Sequence, residues 1–233
     1  LLLCKMEGDG HMSEVPVTCA TCGVVACYRQ QKDKFPKNCQ TANLDPAIID
    51  EAFRLVTEDK ENNKISVASA EIEGHYYGKA TRVEEIMIFA HKMGYKRIGI
   101  ATCAGCLNEA KLFAKICEAK GLEPVAVACK VGAVDKCSVG VADEDKLAPG
   151  MPESMCNPIL QAKALAAQKT DLNVILGLCV GHDTLFMKYT EAPATVLFVK
   201  DRVTGHNPVA PLYLSGPLGY YKRLTQVPYE YEE

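Results

Sequence analysis

Twelve cysteines in a chain of 233 residues set the chemistry open to this protein. Four of them fall close together, as Cys19-Ala-Thr-Cys22-Gly-Val-Val-Ala-Cys27 followed by Cys39. A thiolate-held metal needs soft sulfur ligands gathered by tight turns. C-x-x-C-G makes such a turn, because its glycine lets backbone amides approach the sulfurs. Four ligands close a coordination sphere, which suits a structural or electron-transferring metal and leaves nothing open for substrate. Gaps of two, four and eleven residues between these cysteines fit iron–sulfur ligation. A zinc ribbon would supply a second C-x-x-C, so zinc is the alternative.

The other cysteines take their meaning from the elements around them. Arg97 to Thr102 (RIGIAT), Val125 to Ala128 (VAVA), Val174 to Leu178 (VILGL) and Thr195 to Val199 (TVLFV) are short apolar runs of buried-strand type. Helical stretches separate them: Leu107 to Lys120, Asn157-Pro158 to Lys169, and His182 to Tyr189. The alternation predicts an α/β fold, a parallel sheet of four or five strands with flanking helices. Cys103, Cys129 and Cys179 each directly follow a strand, and Cys156 directly precedes a helix. All strand C-termini of a parallel sheet emerge on one edge, where ligands bind. Cys103, Cys129, Cys156 and Cys179 are therefore expected to form a second metal site on that edge. The 27 residues from 130 to 156 show no periodicity, and a segment that long inside a compact domain is usually functional.

Three further thiols read differently. Cys117 lies in the apolar stripe of the 107–120 helix and is a small core residue. Cys106 completes T-C-A-G-C with Cys103, a strand-to-helix position that also suits a thioredoxin-type pair, although the rest of that pattern is not evident. Cys106 and Cys137 stay open as ligands or bystanders.

Upstream, Asp45-Pro46 opens a helix with Ile48, Ile49, Phe53, Leu55 and Val56 on one face. A second helix is expected over 65–77. A third is opened by the capping box Thr81-Arg-Val-Glu84 and stopped by Gly94. The organisation expected is a cysteine-rich module with helices over 15–94, then an α/β domain over 95–233.

Composition narrows the function classes. A formal charge of −3 with interspersed signs leaves no basic stripe for nucleic acid. The longest apolar runs fall far short of the roughly 20 residues of a membrane helix. A chain this long needs no disulfide staples, and clustered cysteines point to metal or redox chemistry in a cytoplasmic, anaerobic type of protein. Disulfides are the bland alternative. Leu-Leu-Leu-Cys4 lacks the basic and apolar stretches of a lipoprotein signal, and His11-Met12 has the look of a cloning junction with a natural start at Met12. Cys4 and His11 are set aside on that reading.

Polar candidates gather near the expected edge. His182 opens the helix after Cys179, as a ligand, a hydrogen-bond donor or a general acid, with a capping or buried role as the alternative. Lys200-Asp201-Arg202 and Gly205-His206-Asn207-Pro208 follow the last strand and could bind an anion and deliver protons, or form a solvated charged loop. His182, Arg202 and His206 are the candidate catalytic residues. His75 and His91 are expected in core or surface roles. The absence of a glycine-rich fingerprint after the first strand argues against a dinucleotide cofactor.

The stretches C-A-T-C-G-V-V-A-C-Y-R (19–29), M-C-N-P-I (155–159), L-G-L-C-V-G-H-D-T-L-F (176–186) and K-D-R-V-T-G-H-N-P-V-A (200–210) resemble the bacterial and archaeal family called domain of unknown function 1847. The likeness covers about 17–214 and implies metal binding through the cysteines, without supplying a reaction. More distantly, the strand-end cysteines are similar in plan to the cluster domains of 2-hydroxyacyl-CoA dehydratases, a likeness of architecture alone. The function expected is that of an iron–sulfur protein with one or two clusters of 4Fe–4S type. A closed N-terminal cluster would pass electrons from a redox partner protein. A second cluster at the sheet edge would act on a small molecule in redox or sulfur chemistry, as an oxidoreductase or lyase. A non-catalytic zinc sensor or interaction protein is the rival.

Overall fold

The computed structural model describes residues 17–226, so Cys4 and His11 lie outside it. The described chain divides into two compact units, between Ser66 and Val67.

The first unit carries 3-10 turns at Ala26–Arg29 and Lys32–Lys34 and the helices α1 (Gln40–Asn43) and α2 (Pro46–Thr57). Asp45 caps α2 as its sequence predicts, its Oδ1 accepting the Ala47 N–H at 2.9 Å. No residue of α2 is buried, and its apolar face is exposed, with Phe53 at 67%. Ala26 is the sole buried residue among the described ones up to Ser66. The next helix, α3 (Lys60–Tyr76), starts before the expected residue 65, because Asp59 accepts the Asn62 N–H at 2.8 Å and caps it earlier. Its polar sequence gives little apolar periodicity from which to read that start.

The second unit holds α4 (Arg82–Met93), β1 (Arg97–Thr102), α5 (Leu107–Ala119), β2 (Glu123–Ala128), α6 (Pro158–Ala167), β3 (Leu172–Leu176), α7 (His182–Tyr189), β4 (Ala194–Phe198), α8 (Val209–Tyr213) and α9 (Arg223–Gln226). The capping box at Thr81 and Glu84 forms, and Gly94 ends α4 with a φ of 77°. Four strands make one parallel sheet in the order β2-β1-β3-β4. The chain leaves β1 for β2 on one side, then crosses to β3 on the other. The strand order thus reverses between β1 and β3, and such a reversal opens a crevice at the C-terminal edge.

Register makes that edge level. Thr102 pairs with Ala128 on one side and with Leu176 on the other. The residues that follow, Cys103, Cys129 and Gly177, therefore emerge side by side. Cys179 departs from expectation here. β3 ends at Leu176, so Cys179 sits beyond a Gly177-Leu178 turn rather than directly on the strand.

Each face of the sheet has its own core. Ile98, Ile100, Leu172, Val174 and Leu176 pack with α4 and α5, together with Cys106 and Cys117. Ala101 and Ile175 pack with α6 and α7, together with Cys129, Leu165 and Phe186. Each large buried side chain contributes about 1.5–3 kcal/mol over leaving it exposed. Gly99 is needed at its register position. A Cβ there would lie 2.0 Å from Asn173 Oδ1, which instead accepts a 2.8 Å hydrogen bond from the Thr170 hydroxyl.

The segment 130–156 is an ordered excursion. Asp135 and Ser154 form an antiparallel bridge, Met155 N–H donates to the Val134 carbonyl at 2.7 Å, and Lys136 pairs with Glu153 at 2.6 Å. The Asn157 N–H then donates to the Cys129 carbonyl at 2.7 Å. The excursion thus returns to the residue it left, with Cys156 one position before that closure.

Among the described residues no helix is long and apolar enough to cross a membrane.

Candidate metal centre

The two sulfurs at the ends of the 130–156 excursion meet. Cys156 Sγ lies 3.6 Å from Cys129 Sγ. Two thiolates on one tetrahedral metal, with metal–sulfur bonds of about 2.3 Å, lie roughly 3.8 Å apart. The pair therefore has the spacing of two ligands on one metal atom. Cys129 also accepts the Ala104 N–H at 3.3 Å, the kind of amide-to-sulfur bond that tunes a bound metal. Burial pushes the Cys129 thiol up to about 12, against the lowering effect of that amide. A buried thiol of this kind loses its proton readily only to a metal or a strong cation.

Gln161 fixes the turns that carry these sulfurs. It is fully buried, and its Nε2 donates to the Thr102 carbonyl at 3.0 Å and the Val127 carbonyl at 2.7 Å. One side chain on α6 thus holds the ends of β1 and β2 just before Cys103 and Cys129.

The other expected ligands share the edge without closing a sphere. Cys103 is half-buried and packs against both cores. Cys179 accepts a 3.2 Å hydrogen bond from Arg202 Nη2, and the same guanidinium feels the charges of Cys103 and Cys156. Among the described residues no three His, Cys, Asp or Glu side chains stand together as they would around a single metal ion. The edge therefore presents one close sulfur pair, with Cys103 and Cys179 beside it. The spacing of Cys129 and Cys156 fits two thiolates on one metal atom, which these two residues would hold.

Cys106, left open by the sequence, is fully buried under Gly177, where a Cβ would come within 2.6 Å of its sulfur. Lys200 Nζ donates to Cys106 Sγ at 2.8 Å, and His206 Nε2 lies 3.8 Å from the same sulfur. Burial disfavours the Lys200 charge, but hydrogen bonds and charges from Cys106 and Cys103 outweigh this and raise its pKa. The sequence placed Lys200 in a charged loop and gave no sign that it meets sulfur. Cys137 is exposed and engaged within its own loop, where its N–H donates to Asp135 at 2.8 Å.

His182 is the first residue of α7, and its N–H donates to the Cys179 carbonyl at 3.0 Å. Burial, then the charge of Lys130, lowers its pKa, with Asp183 opposing. Its burial and the surrounding cations thus favour the uncharged imidazole.

In the first unit, Cys22 accepts the Val25 N–H at 3.5 Å, and amides of Val25 and Val24 lower its thiol pKa. Thr18 N–H donates to the Asn38 carbonyl at 3.2 Å and Gln40 Nε2 to the Val17 carbonyl at 2.8 Å. These bonds bring the Cys19–Cys22 turn alongside the segment of Cys39, the residue before α1, while Cys27 lies in the first 3-10 turn.

Comparison with known proteins places residues 39–197 in the family described as protein of unknown function (DUF1847). Cys19, Cys22, Cys27, Lys200, Arg202 and His206 fall outside that match. The chain is 45% identical over 208 residues to an uncharacterised protein of Methanocaldococcus jannaschii, covering 89% of this chain and 98% of the relative. No solved structure matches it.

Proposed function

This chain belongs to the DUF1847 family, and from its own residues we propose that it is an iron–sulfur protein whose sheet edge acts in redox or sulfur chemistry on a small molecule. The observation that carries the proposal is the 3.6 Å contact of Cys129 and Cys156 sulfurs, with an amide on one of them. That spacing suits two cysteines on one iron, as in a 2Fe–2S centre, rather than the one cysteine per iron of a 4Fe–4S cluster. Cys179 is the third ligand in this reading. Cys103 is an exchangeable fourth, because it also shares Lys200 with Cys106. Such a centre, when bound, would accept and give single electrons.

The surrounding residues have roles of their own. Lys200 and Arg202 offset the negative charge that several thiolates bring to one place. His182 exchanges protons beside Cys179, and Arg202 orients an anionic group. His206 is held in one tautomer, since the Asp201 N–H donates to its Nδ1 at 3.1 Å, which leaves its Nε2 proton facing Cys106. The Cys19, Cys22, Cys27 and Cys39 module is a second, closed site that passes electrons from a redox partner. Free thiols in this number belong to a reducing, cytoplasmic setting.

Zinc is the second reading, and the same sulfur contact supports it. The spacing of the Cys129–Cys156 pair suits two sulfurs on one metal atom, which zinc satisfies as well as iron. Anaerobically purified protein separates the two. Iron, acid-labile sulfide and a visible absorbance that bleaches on reduction support the proposal. Colourless protein with stoichiometric zinc overturns it in favour of the rival.

A further inference from the structure

Besides the close Cys129–Cys156 pair, the edge carries Cys103 and Cys106, joined by a backbone turn. Cys129 and Cys156 lie on the α6–α7 side of the sheet, Cys106 on the α4–α5 side, and Cys103 packs against both cores. We propose that Cys103 and Cys106 form a working dithiol that reduces a small disulfide, with Cys103 as the attacking sulfur and Cys106 as its buried partner. This goes beyond the metal-centre reading, with which it shares Cys103, Lys200 and His206, and it does not depend on which metal is bound.

Backbone geometry is the first support. The Cys106 N–H donates to the Cys103 carbonyl at 2.8 Å. A turn closed over three residues keeps its end Cα atoms within about 7 Å, and a disulfide needs roughly 4.4–6.8 Å. Exposure is the second. Cys103 is half-buried while Cys106 is fully buried, so an incoming disulfide meets Cys103 and cannot be attacked first by Cys106. Gly105, between them, keeps the approach open, since a Cβ there would stand 3.5 Å from Lys200 Nζ and 3.9 Å from Cys103 Sγ.

The polar groups are the third support. Lys200 Nζ donates to Cys106 Sγ at 2.8 Å, and the charge of Cys103 also favours its ammonium. The Asp201 carboxylate beside it is occupied by the N–H groups of Val203 and Thr204, both at 3.0 Å, so the ammonium faces sulfur. His206 is fixed by the Asp201 N–H on Nδ1 and by stacking on Phe198, with ring centroids 5.0 Å apart. Its Nε2 proton is thereby aimed at Cys106. Two N–H donors converge on the sulfur that must act second.

The chemistry balances without another reactant. Cys103 sulfur attacks one sulfur of the substrate disulfide; that S–S bond breaks and the first product thiol leaves with a proton. Cys106 sulfur then attacks Cys103 sulfur of the mixed disulfide. The Cys103–Cys106 bond forms, and the second product thiol leaves with the other proton. The dithiol loses two electrons, the substrate gains two, and the two thiol protons end on the products. Lys200 and His206 point donors at the Cys106 sulfur before it attacks, and during closure the charge passes from that sulfur to the leaving product sulfur.

The test uses full-length, metal-loaded protein under anaerobic conditions, oxidised glutathione as probe, and acid-quenched peptide mass spectrometry as readout. The expected product in the wild-type chain is a Cys103–Cys106 disulfide, with Cys129 and Cys156 unmodified. Cys106→Ser is expected to stop at glutathione attached to Cys103, and Cys103→Ser to take up none at Cys106. Lys200→Met should slow closure by roughly tenfold or more, the worth of a charged hydrogen bond. Glutathione distributed over other cysteines, or no Cys103–Cys106 linkage in the wild type, overturns the dithiol. Metal analysis of the same samples keeps the two proposals apart. A metal-free wild type that still closes the disulfide overturns the metal centre and supports the dithiol. A metal-loaded wild type with an inert Cys103–Cys106 pair overturns the dithiol alone.

Discussion

Cys129 and Cys156 are 27 positions apart in the chain and their sulfurs are 3.6 Å apart in space. The excursion between them closes on itself through the Asp135–Ser154 bridge and the Asn157-to-Cys129 backbone bond. Its length therefore serves to return one thiol to another.

The clamp on α6 gives a first prediction. Gln161→Met removes the Nε2 that donates to both the Thr102 and Val127 carbonyls, although the Thr102 carbonyl keeps the Cys129 N–H at 2.8 Å. The expected loss is about 1 kcal/mol in urea unfolding, with weaker metal retention because the turns of Cys103 and Cys129 loosen. Unchanged stability would show that Gln161 does not hold the strand ends.

Gly177 gives a second. Its φ is +70°, and a Cβ would meet Cys106 Sγ at 2.6 Å and Phe198 Cε2 at 2.8 Å. Gly177→Ala should cost about 3 kcal/mol from backbone strain and overpacking together. The displaced Cys106 should become alkylated by iodoacetamide faster than in the wild type.

Cys117 is a control among the cysteines. It is fully buried in the α4–α5 core, and burial pushes its thiol up to about 11. Cys117→Ala should keep the full metal content and lower stability by about 1 kcal/mol. Loss of metal in this variant would show that cysteine substitution acts through the fold rather than through ligation.

Acid should loosen the excursion before the sheet. Asp135 accepts the N–H groups of Cys137 and Glu153, which hold its carboxyl at about 2, below the ordinary 3.8. A lowered folded-state pKa contributes stability that is complete above 3.8 and lost as pH falls towards 2. Hydrogen exchange over 130–156 should therefore rise, beyond its intrinsic pH dependence, between those values. Asp135→Asn should show the looser loop at neutral pH and lose the transition.

Much of this was legible in the sequence. Apolar runs bounded by helical stretches marked all four strands, and a parallel sheet then dictates that Cys103 and Cys129 share an edge. Asn157-Pro158 marked the helix start that puts Cys156 beside them, and the Asn157 side chain does accept the Leu160 N–H at 3.0 Å. What periodicity cannot carry is side-chain reach across the fold. Lys200 meets a sulfur 94 positions away and Gln161 a carbonyl 59 away. Gln161 in particular sits at a core position where an apolar residue would have fitted the pattern. The apolar face of α2 was legible too, but amphipathicity reports a face able to be covered and not the presence of a cover.

Metal and acid-labile sulfide content per chain, measured on anaerobic wild type and on Cys129→Ala/Cys156→Ala, tests the central claim most directly. The account predicts iron and sulfide in the wild type and loss of the sheet-edge share in the double variant, with the share held by Cys19, Cys22, Cys27 and Cys39 retained. A wild type without bound metal, or a double variant with undiminished content, would contradict it.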